Sequence, residues 1–171
     1  MALPTRLVVL QRPEQPLHLV CAKLRGWGFH LRGCASGTET IGLLVEDGAD
    51  IVLIDAGAAD AVSLVSQLKA DPVTRCLPVV IATAEDYAVV AAHALALGAD
   101  DIFLLPIEDG ELYARIRALS RLAAMELERR RRESVLAEFG VHVPAEPPGM
   151  PAIDRIAILL IGPAGGDQIQ V

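Results

Sequence analysis

The sequence predicts one open α/β domain, a doubly wound parallel sheet of five strands with helices on both faces. Short apolar runs of strand length alternate five times with stretches whose apolar residues recur at helical spacing. The strand runs show no polar alternation, as expected for parallel strands that are covered on both sides. At 171 residues, the chain is long enough for one well-buried domain and a short remainder.

The first two strand–helix units are located by their apolar residues. A strand is predicted at Arg6–Leu10, and the helix after it is predicted to end near Gly26. The apolar stripe of that helix has the spacing i, i+3, i+4, i+7 and consists of Leu17, Val20, Cys21 and Leu24. A second strand is predicted within residues 29–35, followed by a helix over residues 38–47. The residues predicted to face the core from this second helix are Ile41, Leu44 and Val45.

The remaining three units follow the same alternation. The clearest strand spans residues 50–55, a continuous run rich in β-branched residues between two aspartates, and further strands are predicted at 78–82 and 102–105. Asp71-Pro72 is predicted to end the third helix, and Gly98 the fourth. The apolar stripes of the last three helices are Ala61, Val65 and Leu68, then Val90, Ala94 and Leu97, then Leu112, Ile116, Leu119 and Ala123.

The composition changes beyond the fifth helix, and four segments are predicted along the chain. Residues 1–123 form the α/β domain, and residues 124–140 extend its last helix as a charged segment. Residues 141–152 are rich in proline and suit a stiff linker. Residues 153–171 contain a new buried-strand pattern, which we interpret as the start of a second, truncated α/β domain. The four arginines at 129–132 are interpreted as a solvated helix face, with a site for anionic partners as the alternative.

Composition and charge exclude several classes of function. Hydrophobic residues make up 53% of the chain and charged residues 22%, a balance typical of globular proteins. The net charge of −7 argues against nucleic acid or an anionic membrane as a partner. The longest apolar run near the N-terminus is too short for a signal peptide or a membrane span, so a cytoplasmic protein is expected. No catalytic motif is present, and we expect no enzyme active site in this chain.

The three cysteines are scattered along the chain and lack the spacing of a metal site. Cys21, Cys34 and Cys76 are each expected to be small buried apolar side chains. Unpaired cysteines of this kind suit a reducing compartment.

The residues to consider for a site lie where the predicted strands end. Ligands of open α/β sheets bind beyond the carboxyl ends of the strands, near the point where the strand order reverses. The residues at these ends are Gln11 and Arg12 after the first strand, Asp55 at the third, Thr83 at the fourth, and Leu105 and Pro106 at the fifth.

These landmarks resemble the receiver domains of bacterial response regulators over about residues 5–122. Asp55 matches the phosphoacceptor of that family and Thr83 its switch hydroxyl, while the segment 98–106 resembles the family's lead from Gly-Ala-Asp-Asp into the fifth strand and Lys-Pro. The resemblance implies a (βα)5, flavodoxin-like fold and a sensor histidine kinase as a partner. It also implies homodimer formation through the face of helix 4, strand 5 and helix 5. The Leu105–Pro106 bond is implied to be cis, an ordinary trans proline being the alternative.

The sequence departs from the family pattern at three pocket positions. The family's acidic pair after the first strand is replaced by Gln11 and Arg12, and the lysine before its fifth-strand proline is replaced by Leu105. Because Mg²⁺ needs several hard oxygen ligands and a guanidinium would repel it, no metal or other cofactor is expected. Three interpretations of Asp55 stay open: phosphorylation by a metal-poor route, an ion pair with Arg12 where Mg²⁺ would sit, or a carboxylate that points to water.

A narrower resemblance concerns the arrangement of segments. Residues 106–117, the charged helix and the new strand at 154–161 resemble PleD-type diguanylate cyclase response regulators, which carry two receivers ahead of a GGDEF domain. This resemblance implies a degenerate first receiver that acts as an adaptor or dimerisation module, within a longer protein that makes cyclic di-GMP. One alternative is a working receiver switched by phosphorylation at Asp55. Another is a flavodoxin-like domain that binds a small molecule.

Overall fold

A computed structural model of the chain describes residues 5–12, 17–84 and 88–138, and the structural statements below concern these residues. The chain divides into two compact units, Met1–Arg132 and Glu133–Val171. In the second unit the described residues are 133–138, which are helical. The predicted linker at 141–152 and the predicted strand at 154–161 lie outside the described residues.

The five strands are β1 (Arg6–Leu10), β2 (His30–Cys34), β3 (Ile51–Asp55), β4 (Val79–Thr83) and β5 (Asp101–Leu104). They form one sheet in the order β2-β1-β3-β4-β5, and every neighbouring pair is parallel. Every residue of β3 and β4 is buried, because these strands lie inside the sheet and are covered on both faces. The predicted doubly wound, flavodoxin-like α/β fold is confirmed.

The helices that cover the sheet are α1 (Leu17–Gly26), α2 (Gly37–Glu46), α3 (Ala61–Ala70), α4 (Ala88–Ala96) and α5 (Asp109–Glu138). One apolar cluster packs α1 and α5 against one face, and a second packs α2, α3 and α4 against the other. Successive residues of a strand pack into different clusters, because their side chains point to opposite faces of the sheet. Leu7 belongs to the first cluster, for example, and Val8 to the second. The predicted stripe of α1 is buried at all four positions: Leu17, Val20, Cys21 and Leu24.

The predicted apolar face of α2 is wrong at Val45. Val45 is 81% exposed, whereas Thr40 and Leu43 are buried. Thr40 can be buried because its hydroxyl donates a hydrogen bond to the Ser36 carbonyl at 2.9 Å and lies 2.9 Å from the Cys34 sulfur. Apolar periodicity overlooks a threonine whose hydroxyl is hydrogen-bonded in this way. The predicted face therefore includes Val45 in place of Thr40. Two of the three predicted residues pack at the rim of the core: Ile41 and Leu44.

The longest helix is α5, with 30 residues, which corresponds to about 45 Å at the usual helical rise. Its first half packs on the sheet through Leu112, Ile116 and Leu119, while its second half is rich in arginine and glutamate. Although α5 is long enough to cross a bilayer, no helix among the described residues combines such length with sufficient apolar character.

Candidate functional site

Three of the predicted site residues meet at the carboxyl edge of the sheet. Because β1, β3 and β4 are parallel neighbours, the residues at their ends lie side by side. Asp55 ends β3, Thr83 ends β4, and Arg12 lies two residues past β1. From β1 the chain leads to β2 on one side, while β3 and β4 lie on the other, so the strand order reverses here. In folds of this type, the carboxyl edge at such a reversal is the usual place for a ligand.

The guanidinium of Arg12 lies against the carboxylate of Asp55. Its Nε donates to Asp55 Oδ2 at 3.1 Å, and its Nη2 donates to Asp55 Oδ1 at 3.4 Å. The Asp55 residue is only 5% exposed, and the Arg12 side chain is 29% exposed. Two charge-assisted contacts from one planar group fix the carboxylate in orientation as well as in charge. Two of the interpretations of Asp55 differ in geometry: an ion pair with Arg12, or a carboxylate that points to water. The structure contains the ion pair.

The backbone after β3 closes around the same carboxylate. The Gly57 N–H donates to Asp55 Oδ1 at 2.9 Å, and the Ala58 N–H donates to the Asp55 carbonyl at 2.9 Å. A Cβ on Gly57 would lie 2.0 Å from Nη2 of Arg12 and 2.2 Å from its Cζ. The guanidinium thus occupies the space that any side chain at position 57 would need.

Replacing Gly57 with alanine should displace Arg12 from Asp55 while leaving both charges in the chain. The methyl group would meet the far end of a flexible side chain, so the guanidinium should move before the backbone does. Because Arg12 is partly solvated, we expect the free energy of unfolding to fall by about 1–2 kcal/mol. Urea denaturation of the full chain measures this change.

The matched control is Gly42→Ala, within α2. A Cβ at Gly42 meets nothing within 4 Å, so this variant should gain about 0.5–1 kcal/mol from helix propensity alone. If Gly57→Ala is also stabilising, then Arg12 does not occupy the space beside Gly57 in solution.

Gln11 follows β1 but turns away from Asp55. Its backbone N–H donates to the Cys34 carbonyl at 3.1 Å, which continues the pairing of β1 with β2. Its side-chain Oε1 accepts from the Cys21 thiol at 3.6 Å. Burial raises the pKa of Cys21, so the thiol stays protonated and can donate at neutral pH. The structure therefore brings Arg12, but not Gln11, to the phosphoacceptor position.

Thr83 and Leu105 present no charge to the site. Thr83 is buried, and its hydroxyl donates to the carbonyl of Ala84 at 2.7 Å. Leu105 lies just after β5, where its N–H donates to the Thr83 carbonyl at 2.7 Å and its side chain packs beside the α1 and α5 cluster. The Leu105–Pro106 peptide bond is cis. The lysine position of the receiver pattern is thus filled by an apolar side chain directed toward the core.

Sequence reasoning missed Gly57, although a signal was available. In a turn two residues past a buried carboxylate, a glycine often marks a place where another group comes close to the backbone. Among the described residues, no cluster of three or more histidine, cysteine, aspartate or glutamate side chains could hold a metal ion. Residues 13–16 and 85–87, which follow Arg12 and Ala84 in the sequence, lie outside the described part of the chain.

The chain is similar in sequence to response regulators. The response regulator PleD of Caulobacter vibrioides is 33% identical over 138 residues, which cover 80% of this chain and 30% of PleD. The phosphate regulon regulatory protein PhoB of Escherichia coli is 29% identical over 119 residues, which cover 68% of this chain and 52% of PhoB. The chain therefore spans less than a third of one relative and about half of the other. No protein-family model matches it.

Solved structures share the fold. The receiver domain of a sensor histidine kinase from Pseudomonas aeruginosa PAO1, solved with magnesium coordinated in its active-site cleft, has a TM-score of 0.60 and 20% identity, covering 71% of this chain and 99% of that domain. A CheY-like receiver domain from Methanospirillum hungatei JF-1 has a TM-score of 0.62 and 15% identity, covering 72% and 98%. The fold, the order of its strands and the sequence relatives agree, and the chain belongs to the response-regulator receiver family of two-component signalling.

Proposed function

We propose that this domain is a pseudo-receiver, a degenerate receiver that serves as an adaptor or dimerisation module. One observation carries the proposal: the Arg12 guanidinium lies on both oxygens of Asp55, at the position that the receiver pattern gives to a magnesium ligand. A cation of the chain's own therefore neutralises the phosphoacceptor carboxylate without any signal.

Mg²⁺ does not fit the groups that surround Asp55. The ion prefers several hard oxygen ligands in near-octahedral geometry. Here the carboxylate oxygens are engaged by Arg12 and by the Gly57 N–H, and a guanidinium a few ångströms away repels a divalent cation. Leu105 offers no charge to an incoming phosphoryl group. We therefore propose that the domain uses no Mg²⁺ or other cofactor and is not itself an enzyme.

A small-molecule phosphodonor tests the central claim. After incubation of the full chain with the donor and Mg²⁺, intact-mass spectrometry should show no adduct with the mass of one phosphoryl group, under conditions that fully label an active receiver. Asp55→Asn is the control for labelling elsewhere. An adduct that requires both Asp55 and Mg²⁺ would instead establish the alternative function, a working phosphorylation switch.

The outward surface of α4 supports a role in dimer formation. Its nine residues include no aspartate, glutamate, lysine or arginine, and Val89 is 84% exposed on its outer side, with His93 the one exposed basic residue among its described side chains. Leu104, on the neighbouring edge strand β5, is also exposed. Large apolar side chains on the solvent side of a helix are typical of an interface. We assign the homodimer contact to the face of α4, β5 and α5; residues 85–87 of this face lie outside the described part of the chain.

The similarity to PleD supports a place for this domain in a longer protein. On that similarity, the domain lies ahead of a second receiver and a GGDEF output domain that makes cyclic di-GMP. The helix α5 would connect the domain to them and set their orientation. Its partners would be a second copy and a sensor histidine kinase in the cytoplasm, not nucleic acid or a membrane. The coding sequence downstream of Val171 tests this placement, since a transcription-factor domain there would contradict it.

A further inference from the structure

The stretch of α5 over residues 120–132, here called the outer half, is attached to the domain differently from residues 109–119, here called the inner half. Leu112, Ile116 and Leu119 are buried on the sheet, so apolar packing secures the inner half. Beyond Leu119, the large apolar side chains Leu122 and Met125 are exposed. The contacts that keep the next turns of the helix on the domain must therefore be of another kind.

Arg130 makes a long-range contact with the loop between α3 and β4, here called the α3–β4 loop (residues 71–78). Its Nη1 donates to the Val73 carbonyl at 2.8 Å, and its Nη2 donates to the Pro72 carbonyl at 3.3 Å. Its Nε lies 3.5 Å from Oε1 of Glu126, one turn earlier on the helix. One guanidinium thus ties α5 to backbone atoms more than 50 residues away in the sequence.

Glu126 and Cys76 complete the polar cluster. Glu126 accepts hydrogen bonds from Arg129 Nε at 2.9 Å and Nη2 at 2.5 Å. The hydrogen bond from Arg129, outweighing the cost of partial burial and aided by Cys76 and Arg130, lowers the pKa of Glu126 to about 2. The side chain of Cys76, in the α3–β4 loop, also interacts with Arg130 and raises the pKa of the Arg130 guanidinium. The carboxylate and the guanidinium therefore both stay charged over the range in which the domain would work.

Two clefts that are open to solvent flank this cluster. One, of about 190 Å³, is lined in part by Arg6, Asp50, Cys76 and Arg130. The other, of about 270 Å³, is lined in part by Cys76, Pro78 and Leu122. Glu126 borders both clefts. Because solvent reaches the helix on both sides of Glu126, polar bonds rather than buried apolar contacts hold this stretch of helix on the loop.

We propose that Arg130, Glu126 and Cys76 form a polar latch that holds residues 120–132 of α5 on the α3–β4 loop and can open without disturbing the core. The latch bonds are few and partly solvated, so they belong to the low-stability part of the molecule. An opened latch leaves the inner half of α5 in place, while the outer half loses its support. The latch offers a way to change the direction of α5 that does not involve Asp55, and it does not depend on the proposed pseudo-receiver function.

Hydrogen exchange on the full chain tests the latch. In Arg130→Gln, amides of residues 122–132 should exchange at least about tenfold faster, because a short helical segment without tertiary contacts is marginal in water. Amides of residues 112–119 should be unchanged. Arg131→Gln, the same change at an exposed neighbouring arginine, is the matched control. Equal exchange in the two variants would overturn the proposal.

The thiol of Cys76 gives an independent readout. Cys76 is partly exposed, in contrast to the sequence-based expectation, whereas Cys21 and Cys34 are buried. Reaction with the disulfide reagent DTNB at Cys76 should be several-fold faster in Arg130→Gln than in Arg131→Gln. DTNB is an anion, so loss of a nearby positive charge would slow its approach, and a faster reaction can come only from greater exposure of the thiol. An unchanged or slower reaction in Arg130→Gln would mean that Arg130 does not cover Cys76, and the latch would be rejected.

Discussion

Arg12→Asp should raise the affinity of the Asp55 pocket for Mg²⁺ above that of the natural chain. The substitution removes the guanidinium that occupies both oxygens of Asp55 and supplies a second carboxylate beside it. Hard oxygen ligands and a local negative charge are what Mg²⁺ requires. We expect the affinity to rise at least about tenfold over the natural chain, equivalent to about 1.4 kcal/mol. The same variant should accept a phosphoryl group from a small-molecule donor more readily than the natural chain.

The stability of Arg12→Asp should depend on Mg²⁺, and thermal denaturation measures this directly. Without the ion, two carboxylates face each other near the buried end of β3, and the free energy of unfolding should fall by about 2–4 kcal/mol. At about a hundred times the dissociation constant, Mg²⁺ should return about 2.7 kcal/mol by binding to the folded state.

Two further chains complete this experiment. The natural chain should show no Mg²⁺-dependent shift in Tm. Adding Asp55→Asn to Arg12→Asp should abolish the shift, since the ion then loses a carboxylate ligand. If the natural chain responds to Mg²⁺ as strongly as Arg12→Asp does, Arg12 does not substitute for the ion.

The sheet could be predicted from the sequence because buried parallel strands produce apolar runs without polar alternation. The inner strands β1, β3 and β4 are buried on both sides, so they read as apolar runs, and their alternation with helical stretches leaves few alternatives. The core of α2 was misread because burial there depends on a threonine hydroxyl with a backbone partner, which apolar spacing does not register. Apolar periodicity thus locates elements better than it locates the polar residues buried within them.

The site could be predicted in its chemistry but not in its geometry. The exchange of an acidic position for Arg12 is visible in the sequence, and an ion pair with Asp55 is one of the three interpretations that the sequence leaves open. The space above Gly57 is not visible, because the approach of a guanidinium to a backbone 45 residues away depends on the register of β1 and β3. Arg130 shows the same limit, since its partners are backbone carbonyl groups of a distant loop, and backbone atoms carry no residue-specific signal.

Val89→Lys should weaken self-association of this chain at least about tenfold, equivalent to about 1.4 kcal/mol. Val89 is 84% exposed on a helix without aspartate, glutamate, lysine or arginine, so the folded monomer should tolerate a lysine there. In a homodimer that buries α4, the lysine would have to be desolvated without an acidic partner on that helix, and desolvation of an unpaired charge is costly. Light scattering across a concentration series measures the change.

The matched control is Val45→Lys, because Val45 is 81% exposed on α2, on a different helix. Both variants change the net charge of the chain equally, so a general electrostatic effect would alter both to the same extent. Weakening confined to Val89→Lys would place the contact on α4. Equal weakening, or a natural chain that stays monomeric at all concentrations, would remove the dimer from the proposed function. A pseudo-receiver that cannot be switched and does not associate with itself would then have to act through a different partner.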